Sequence, residues 1–166
     1  MPKADGRGTY SFKGDIDMRI LLAGTRNEQL EKMKRALERA HCSAECVFDR
    51  EAALDICMDD CYDCIALEAA PFCENPPETV GALRDAGVDT PILMLLERGE
   101  RRLGIALLNA GADDFIMPPL AMAEFVARAR ALARRNGGFA SQMLTWGDVA
   151  LDAQAFELRT TVGRVH

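Results

Sequence analysis

Long apolar runs are absent from this chain. No stretch approaches the roughly 20 residues of a membrane-spanning helix, so no membrane partner is expected. The first 17 residues, MPKADGRGTYSFKGDID, are polar and Gly-rich with no apolar centre, which excludes a secretory signal there. They read as a disordered leader or a cloning remainder, with Met18 as the natural start. Histidine is scarce: His41 and His166 are the only two, and neither sits in a motif. No P-loop, GxSxG or HExxH pattern occurs, which argues against a kinase, phosphatase or hydrolase. An excess of positive charge is also missing. The formal net charge of −6 speaks against a nucleic-acid surface spread over the whole chain, though not against a local one. Without a signal, the location expected is cytoplasmic, and the six cysteines are expected to be reduced thiols rather than disulfides.

The 166 residues, about half of them apolar and about a quarter charged, suit one globular domain with an appendage. The stretch Cys57-Met58-Asp59-Asp60-Cys61-Tyr62-Asp63-Cys64 has the spacing C-x3-C-x2-C, which could hold zinc or an iron–sulfur cluster if all three thiolates met in one loop cavity.

From Met18 the hydrophobic pattern alternates between two kinds of element. RILLA (19–23) is a short apolar run suited to a strand buried on both faces. Leu30, Met33 and Leu37 then recur at helical spacing, with Asn27 placed to cap the helix. Ser43 to Asp49, Cys64 to Leu67, Pro91 to Leu96 and Phe115 to Met117 read as four further strands. Glu51 to Met58, Glu78 to Asp85, Arg101 to Asn109 and Ala121 to Arg135 read as helices, the last ended by Asn136-Gly137-Gly138. The segment from Ala69 to Pro77 has three prolines and reads as a loop. Strands alternating with helices imply right-handed crossovers and a parallel sheet. The fold class is therefore α/β, a five-stranded doubly wound parallel sheet over residues 18–135, with its site at the carboxyl ends of the strands. A linker follows at 136–142. Residues 143–166 read as a short antiparallel β segment with a hairpin around Ala153-Gln154.

Several stretches carry a family likeness: RILLAGTRNEQLEKMKRALERA, YDCIALE, DTPILMLLERGE and NAGADDFIMPPLAMAEFVARARALARR. Residues 18–135 resemble the receiver domain of response regulators of the OmpR/PhoB transcription-factor family. Residues 143–166 resemble the small sheet that opens that family's winged-helix DNA-binding domain. The resemblance implies a CheY-like, flavodoxin-like sheet in the order 2-1-3-4-5. It also implies that DNA is contacted only through a C-terminal domain missing from this chain.

The same resemblance shows what has been lost. A receiver moves a phosphoryl group from a histidine kinase to an aspartate across Mg²⁺, using an acidic pair, a hydroxyl and a lysine. The acidic pair falls at Gly24 and Thr25, followed by the cation Arg26. The phosphoacceptor falls at Glu68, the hydroxyl at Leu96 and the lysine at Pro118. Glu68 alone beside Arg26 is a poor divalent site, and without metal and lysine nothing neutralises charge on a transferred phosphoryl. The expectation is an atypical receiver, a pseudo-receiver, with no catalytic residue, no metal and no cofactor. Glu68 is either a built-in phosphate mimic paired with Arg26 or a drifted residue at a strand end. Arg26 is either that partner or a solvated loop charge. Pro118-Pro119 reads as a structural turn, since the bond before the second of these residues is commonly cis in the family.

The family dimerises through its fourth helix, fifth strand and fifth helix. Ile105, Leu108 and Val126 match the apolar patch of that surface, and Asp114 with Arg128 matches one intersubunit ion pair. Glu124 and Arg130 match single members of two others, whose partners fall at the uncharged Gly104 and Asn109. Set against a homodimer is the plain alternative that these side chains are core and solvated face. The leading expectation is a phosphorylation-independent response regulator of transcription, its receiver a dimerisation and regulatory module. Two rivals remain: a pseudo-receiver that binds a protein or small molecule at its degenerate pocket, and a thiol redox sensor. Within the fold, Cys57, Cys64 and Cys46 are expected in the core, and Cys61 and Cys73 exposed enough to oxidise. A helix, a turn and a buried strand cannot turn the three clustered thiols onto one metal.

Overall fold

A computed structural model of the chain describes residues 18–59, 61–136, 143–146, 149–152, 157–160 and 163–165. The 1–17 leader, nearly all of the 136–142 linker and the expected turn at Ala153-Gln154 lie outside the described residues.

The described chain alternates strand and helix: β1 (Arg19–Ala23), α1 (Glu28–Arg39), β2 (Ser43–Val47), α2 (Arg50–Cys57), β3 (Cys64–Glu68), α3 (Pro76–Asp85), β4 (Ile92–Leu95), α4 (Arg101–Ala110), β5 (Asp114–Ile116) and α5 (Met122–Asn136). The five strands pair in parallel in the order β2-β1-β3-β4-β5, as read from the sequence. Four shorter strands follow: β6 (Met143–Trp146), β7 (Val149–Asp152), β8 (Glu157–Thr160) and β9 (Gly163–Val165). They pair in sequence order as an antiparallel sheet.

Side chains alternate across the parallel sheet, so each strand feeds two cores. Leu21, Ile65, Leu67, Ile92 and Met94 face Ala53 and Cys57 of α2, Val80 and Leu83 of α3 and Leu107 of α4. Ile20, Leu22, Ala66, Leu93 and Ile116 face Leu30, Met33 and Leu37 of α1 and Phe125, Ala129 and Leu132 of α5. This doubly covered sheet explains the uninterrupted apolar strands.

The local signals act as their chemistry dictates. Asn27 caps α1, its side-chain oxygen accepting from the Leu30 N–H at 2.8 Å. Asp49 does the same for α2 at the Ala52 N–H, 2.8 Å, which is why β2 ends at Val47 rather than running on to Asp49. Gly111 ends α4 at φ 113°, the left-handed cap that favours glycine. The expected 69–77 loop is shorter than read: Pro76 and Pro77 form the first turn of α3. Proline is suited to that position, because the N–H it lacks has no helical acceptor there.

Arg84 fastens one end of the domain. It donates to the carbonyls of Gly111 at 2.9 Å and Thr90 at 2.8 Å, to that of Val88, and to the Asp113 carboxylate at 2.7 Å. Asp113 in turn accepts from the Ile92 N–H at 2.8 Å. One guanidinium thereby joins α3, the segment leading into β4 and the turn before β5.

Candidate functional site

At the carboxyl ends of the strands, Ala23 of β1 lies beside Leu67 of β3. The next residues, Gly24 and Glu68, therefore face each other. Glu68 folds over the glycine. A Cβ added at Gly24 would sit 2.7 Å from Glu68 Oε2 and 2.9 Å from Glu68 Cβ, so only glycine admits this arrangement. The carboxylate takes the room an acidic side chain would need at position 24.

Once there, Glu68 is well supplied with donors. Its Oε2 accepts from the Thr25 hydroxyl at 2.7 Å and from the Thr25 backbone N–H. The Asn27 amide reaches Oε1 at 3.4 Å and the Thr25 hydroxyl at 3.1 Å. Asn27 thus closes a chain of contacts from the end of β3, through the β1–α1 loop, to the cap of α1. Reading the sequence placed Glu68, Gly24 and Thr25 at one site but gave Asn27 only its capping role. The signal that could have found it is the register: two residues beyond Thr25, on the loop opposite Glu68.

Arg26 does not form the ion pair with Glu68 that one of its two readings gave it. Its guanidinium lies 4.3 Å from the centre of the Phe48 ring, a cation–π contact, and among the described residues it makes no salt bridge with Glu68. Stacking on Phe48 draws Arg26 toward β2 and away from the strand end.

Leu96 and Pro118 share an open cleft of about 540 Å³ with Asn27, Glu68, Glu97 and Arg98. Leu96 is 5 % exposed, and its N–H donates to the Ile116 carbonyl at 2.9 Å. Pro118 precedes a cis bond to Pro119. Neither offers a side-chain donor to an anion. The donor set does not suit Mg²⁺, which asks for carboxylates with near-octahedral freedom. Gly24 and Thr25 supply no carboxylate, Glu68 is engaged by Thr25, and among the described residues the cleft's other carboxylates, Glu28 and Glu97, do not form with it a group placed to hold one ion.

The expected dimer surface is split. Ile105 and Leu108 stand exposed on α4, at 53 % and 41 %. Val126 does not join them: it is half-buried and lines a groove with Ala36, Arg39 and Ala40 at the end of α1. Arg128 bonds Asp114 at 2.8 Å and Glu124 at 2.9 Å within the same chain, and these two carboxylates push its guanidinium pKa up. Arg130 is half-buried on α5, its Nε without an acceptor among the described residues. Gly104 holds the Phe115 ring, whose carbon atoms lie 2.7 Å from where a Cβ would be. A charged side chain at 104 would displace that ring.

The thiols separate as well. Cys57 and Cys64 are buried and Cys61 is exposed, so the three clustered cysteines do not converge. Among the described residues no three His, Cys, Asp or Glu side chains are placed to hold one ion. Two expectations need correction. Cys46 is only half-buried, because β2 is an edge strand. Cys73 is buried at 1 % exposure, packed in the α2–α3 core beneath the loop that was expected to expose it.

With the fold and the strand-end site in place, the class of the domain is defined: residues 18–136 have the CheY-like fold of receiver domains. The receiver domain of Francisella response regulator 1452 aligns at a TM-score of 0.64 and 23 % identity over 71 % of this chain and 98 % of that one. DrrB of Thermotoga maritima, an OmpR/PhoB homologue, aligns at a TM-score of 0.59 and 18 % identity over 90 % of this chain and 66 % of that one. No family model matches the chain.

Sequence relatives are the more telling comparison. Response regulator MprA of Mycolicibacterium vanbaalenii is 34 % identical over 141 residues, 82 % of this chain and 61 % of the relative. MprA of Mycobacterium avium is 35 % identical over 138 residues. The chain is thus a homologue of response regulators. It spans about three-fifths of the length of these curated relatives.

Proposed function

We propose that the chain is an atypical response regulator of transcription whose receiver works without phosphorylation. The observation that carries this reading is the contact between Glu68 and Thr25. The carboxylate stands where the phosphoacceptor and the metal acids of a working receiver would meet, and its hydrogen bonds run to the β1–α1 loop. Its hydrogen bonds go to Thr25 and Asn27, and Leu96 and Pro118, which line the same cleft, have no side-chain donor to offer it. Glu68 is therefore an internal latch, tying β3 to the cap of α1, rather than a phosphate mimic. The domain is no enzyme on this reading, and its conformation is set by the latch instead of by a kinase.

The output follows from the α4–β5–α5 face. Ile105 and Leu108 are apolar side chains in water, and burying them against a second copy would remove that cost. Arg128, Asp114 and Glu124 supply charges at the rim, where a second copy's groups could exchange with those within the chain. Residues 143–166 supply the opening sheet of a DNA-binding domain, and contact with a promoter in the cytoplasm would be made by parts of the protein beyond that sheet. The supporting likeness is to OmpR/PhoB-type regulators.

The reading is tested by titrating the protein with Mg²⁺ and following backbone amide NMR signals of Gly24, Thr25 and Glu68. No saturable shift in the millimolar range is expected. A saturable shift at these three residues would overturn it.

A further inference from the structure

On the sheet face away from α1 and α5, α2 and α3 leave between them a groove of about 560 Å³. Its lining includes apolar side chains: Leu54 from α2 and Met58 just after it, Ala82 and Leu83 from α3. Met58 is 52 % exposed, one of the large apolar side chains the described domain leaves in water. The groove's edge is acidic. Asp55, Glu74 and Glu78 line it against one cation, Arg50. Glu74 lies 3.6 Å from the Arg50 guanidinium, and Glu78 accepts from the Asn75 amide at 2.9 Å. The Asp55 carboxylate meets no cation among the described residues. The Nε of Arg50 is buried without an acceptor.

We infer that this groove docks a basic amphipathic helix of a partner protein. Each feature has its counterpart on such a helix. Its apolar stripe would cover Met58 and Leu54, and methionine adapts readily to an incoming surface. Lysines or arginines beside that stripe would meet Asp55 and Glu78. A side-chain or carbonyl oxygen would satisfy Arg50 Nε.

The charge distribution supports the choice of a cationic occupant. Residues 40–89, which carry α2 and α3 and leave out α1, hold 12 acidic side chains against 2 basic ones. Residues 101–136 hold 3 acidic against 6 basic. Such an uneven field steers a basic partner to α2 and α3 and repels it from α4 and α5. A second copy of this chain fits less well. Its basic helix is α5, whose exposed residues include Ala123, Ala127, Arg134 and Arg135 but no large apolar side chain. An α5-to-groove contact would also join unlike surfaces head to tail, giving a ring or a filament rather than a two-fold dimer.

The inference is independent of whether the receiver is phosphorylated, and the test keeps the two apart because it uses neither Mg²⁺ nor phosphate. The probe is a synthetic helix of about five turns with leucine on one face and lysine on the other, added to the full chain. The same helix with glutamate for lysine serves as control. The lysine helix should shift the amide signals of Asp55, Met58, Glu78 and Ala82, and the glutamate helix should not. Asp55→Lys with Glu78→Lys should weaken binding at least about tenfold, and Met58→Ala should weaken it further. Glu31→Lys with Glu38→Lys on α1 brings the same change in net charge and should leave the affinity within about twofold. No binding, shifts centred elsewhere, or equal losses from the α1 and groove variants would overturn the proposal.

Discussion

Glu68 Oε2 and the Thr25 hydroxyl lie 2.7 Å apart at the ends of adjacent strands β3 and β1. The bond is possible because Gly24, between them, has no side chain: its Cβ would meet the same oxygen at 2.7 Å. Gly24→Ala should therefore expel the carboxylate and leave Thr25 and Asn27 short of an acceptor. The expected cost is about 1–3 kcal/mol, read as a lower urea midpoint with an unchanged slope. Glu68→Ala should cost a similar amount. In the double variant the two losses should fail to add, because both remove one contact.

Arg84→Met should be among the more damaging single changes away from the site. Its guanidinium satisfies three carbonyls and the Asp113 carboxylate. Removing it while leaving these acceptors in place should cost about 3 kcal/mol or more. Urea unfolding of the variant beside Arg39→Met, an exposed arginine on α1, would measure the difference.

The thiols predict an order of labelling and a dependence on pH. Cys61 is exposed and Cys46 half-buried, whereas Cys42, Cys57, Cys64 and Cys73 are buried. Brief alkylation followed by mass mapping should mark Cys61 first, Cys46 more slowly and the buried four only on unfolding. Burial, with a smaller push from Cys73, moves the Cys57 thiol from its ordinary 9.0 up to about 12. Burial also raises those of Cys46, Cys64 and Cys73. Each group keeps its proton in the folded chain after the unfolded chain has lost it. Stability from these thiols is thus whole below the unfolded value and falls as pH climbs above about 9, by at most ~1.4 kcal/mol per pH unit per thiol. Urea midpoints at about pH 8 and about pH 10 would show the drop, and a rising midpoint would contradict it.

Dimerisation can be probed without disturbing the latch. Ile105→Glu with Leu108→Glu places charge on a surface that is already exposed, so the fold should hold while self-association is lost. Light scattering after size exclusion should give a dimer for the natural sequence and a monomer for the variant. Arg128→Asp would add a third carboxylate beside Asp114 and Glu124, and should lose both association and about 1 kcal/mol of stability. Equal masses for natural and altered chains would refute the interface.

Much of this fold was legible because the strands are buried on both faces and the helices carry clean apolar periods. RILLA and ILML have no polar alternation, and Leu30, Met33 and Leu37 share a face. Boundaries failed where one residue serves two elements. Pro76 and Pro77 look like loop residues, yet they begin α3, since the first turn needs no proline N–H. At the site, the loss of the acidic pair was visible in Gly24 and Thr25. The rotamer of Glu68 and the stacking of Arg26 on Phe48 were not, because both depend on neighbours from other strands. Val126, matched to the dimer patch by resemblance, lies half-buried beside the end of α1, because the match carries no information on which neighbouring helix covers it.

The central claim is that the Glu68–Thr25 latch replaces phosphotransfer, and incubation with acetyl phosphate and Mg²⁺ tests it most directly. Intact mass and peptide mapping should show no phosphoryl adduct on residues 18–136, and the oligomeric state should be unchanged. A phosphoryl group on this domain, above all one at Glu68 accompanied by a change in mass of the assembly, would contradict it.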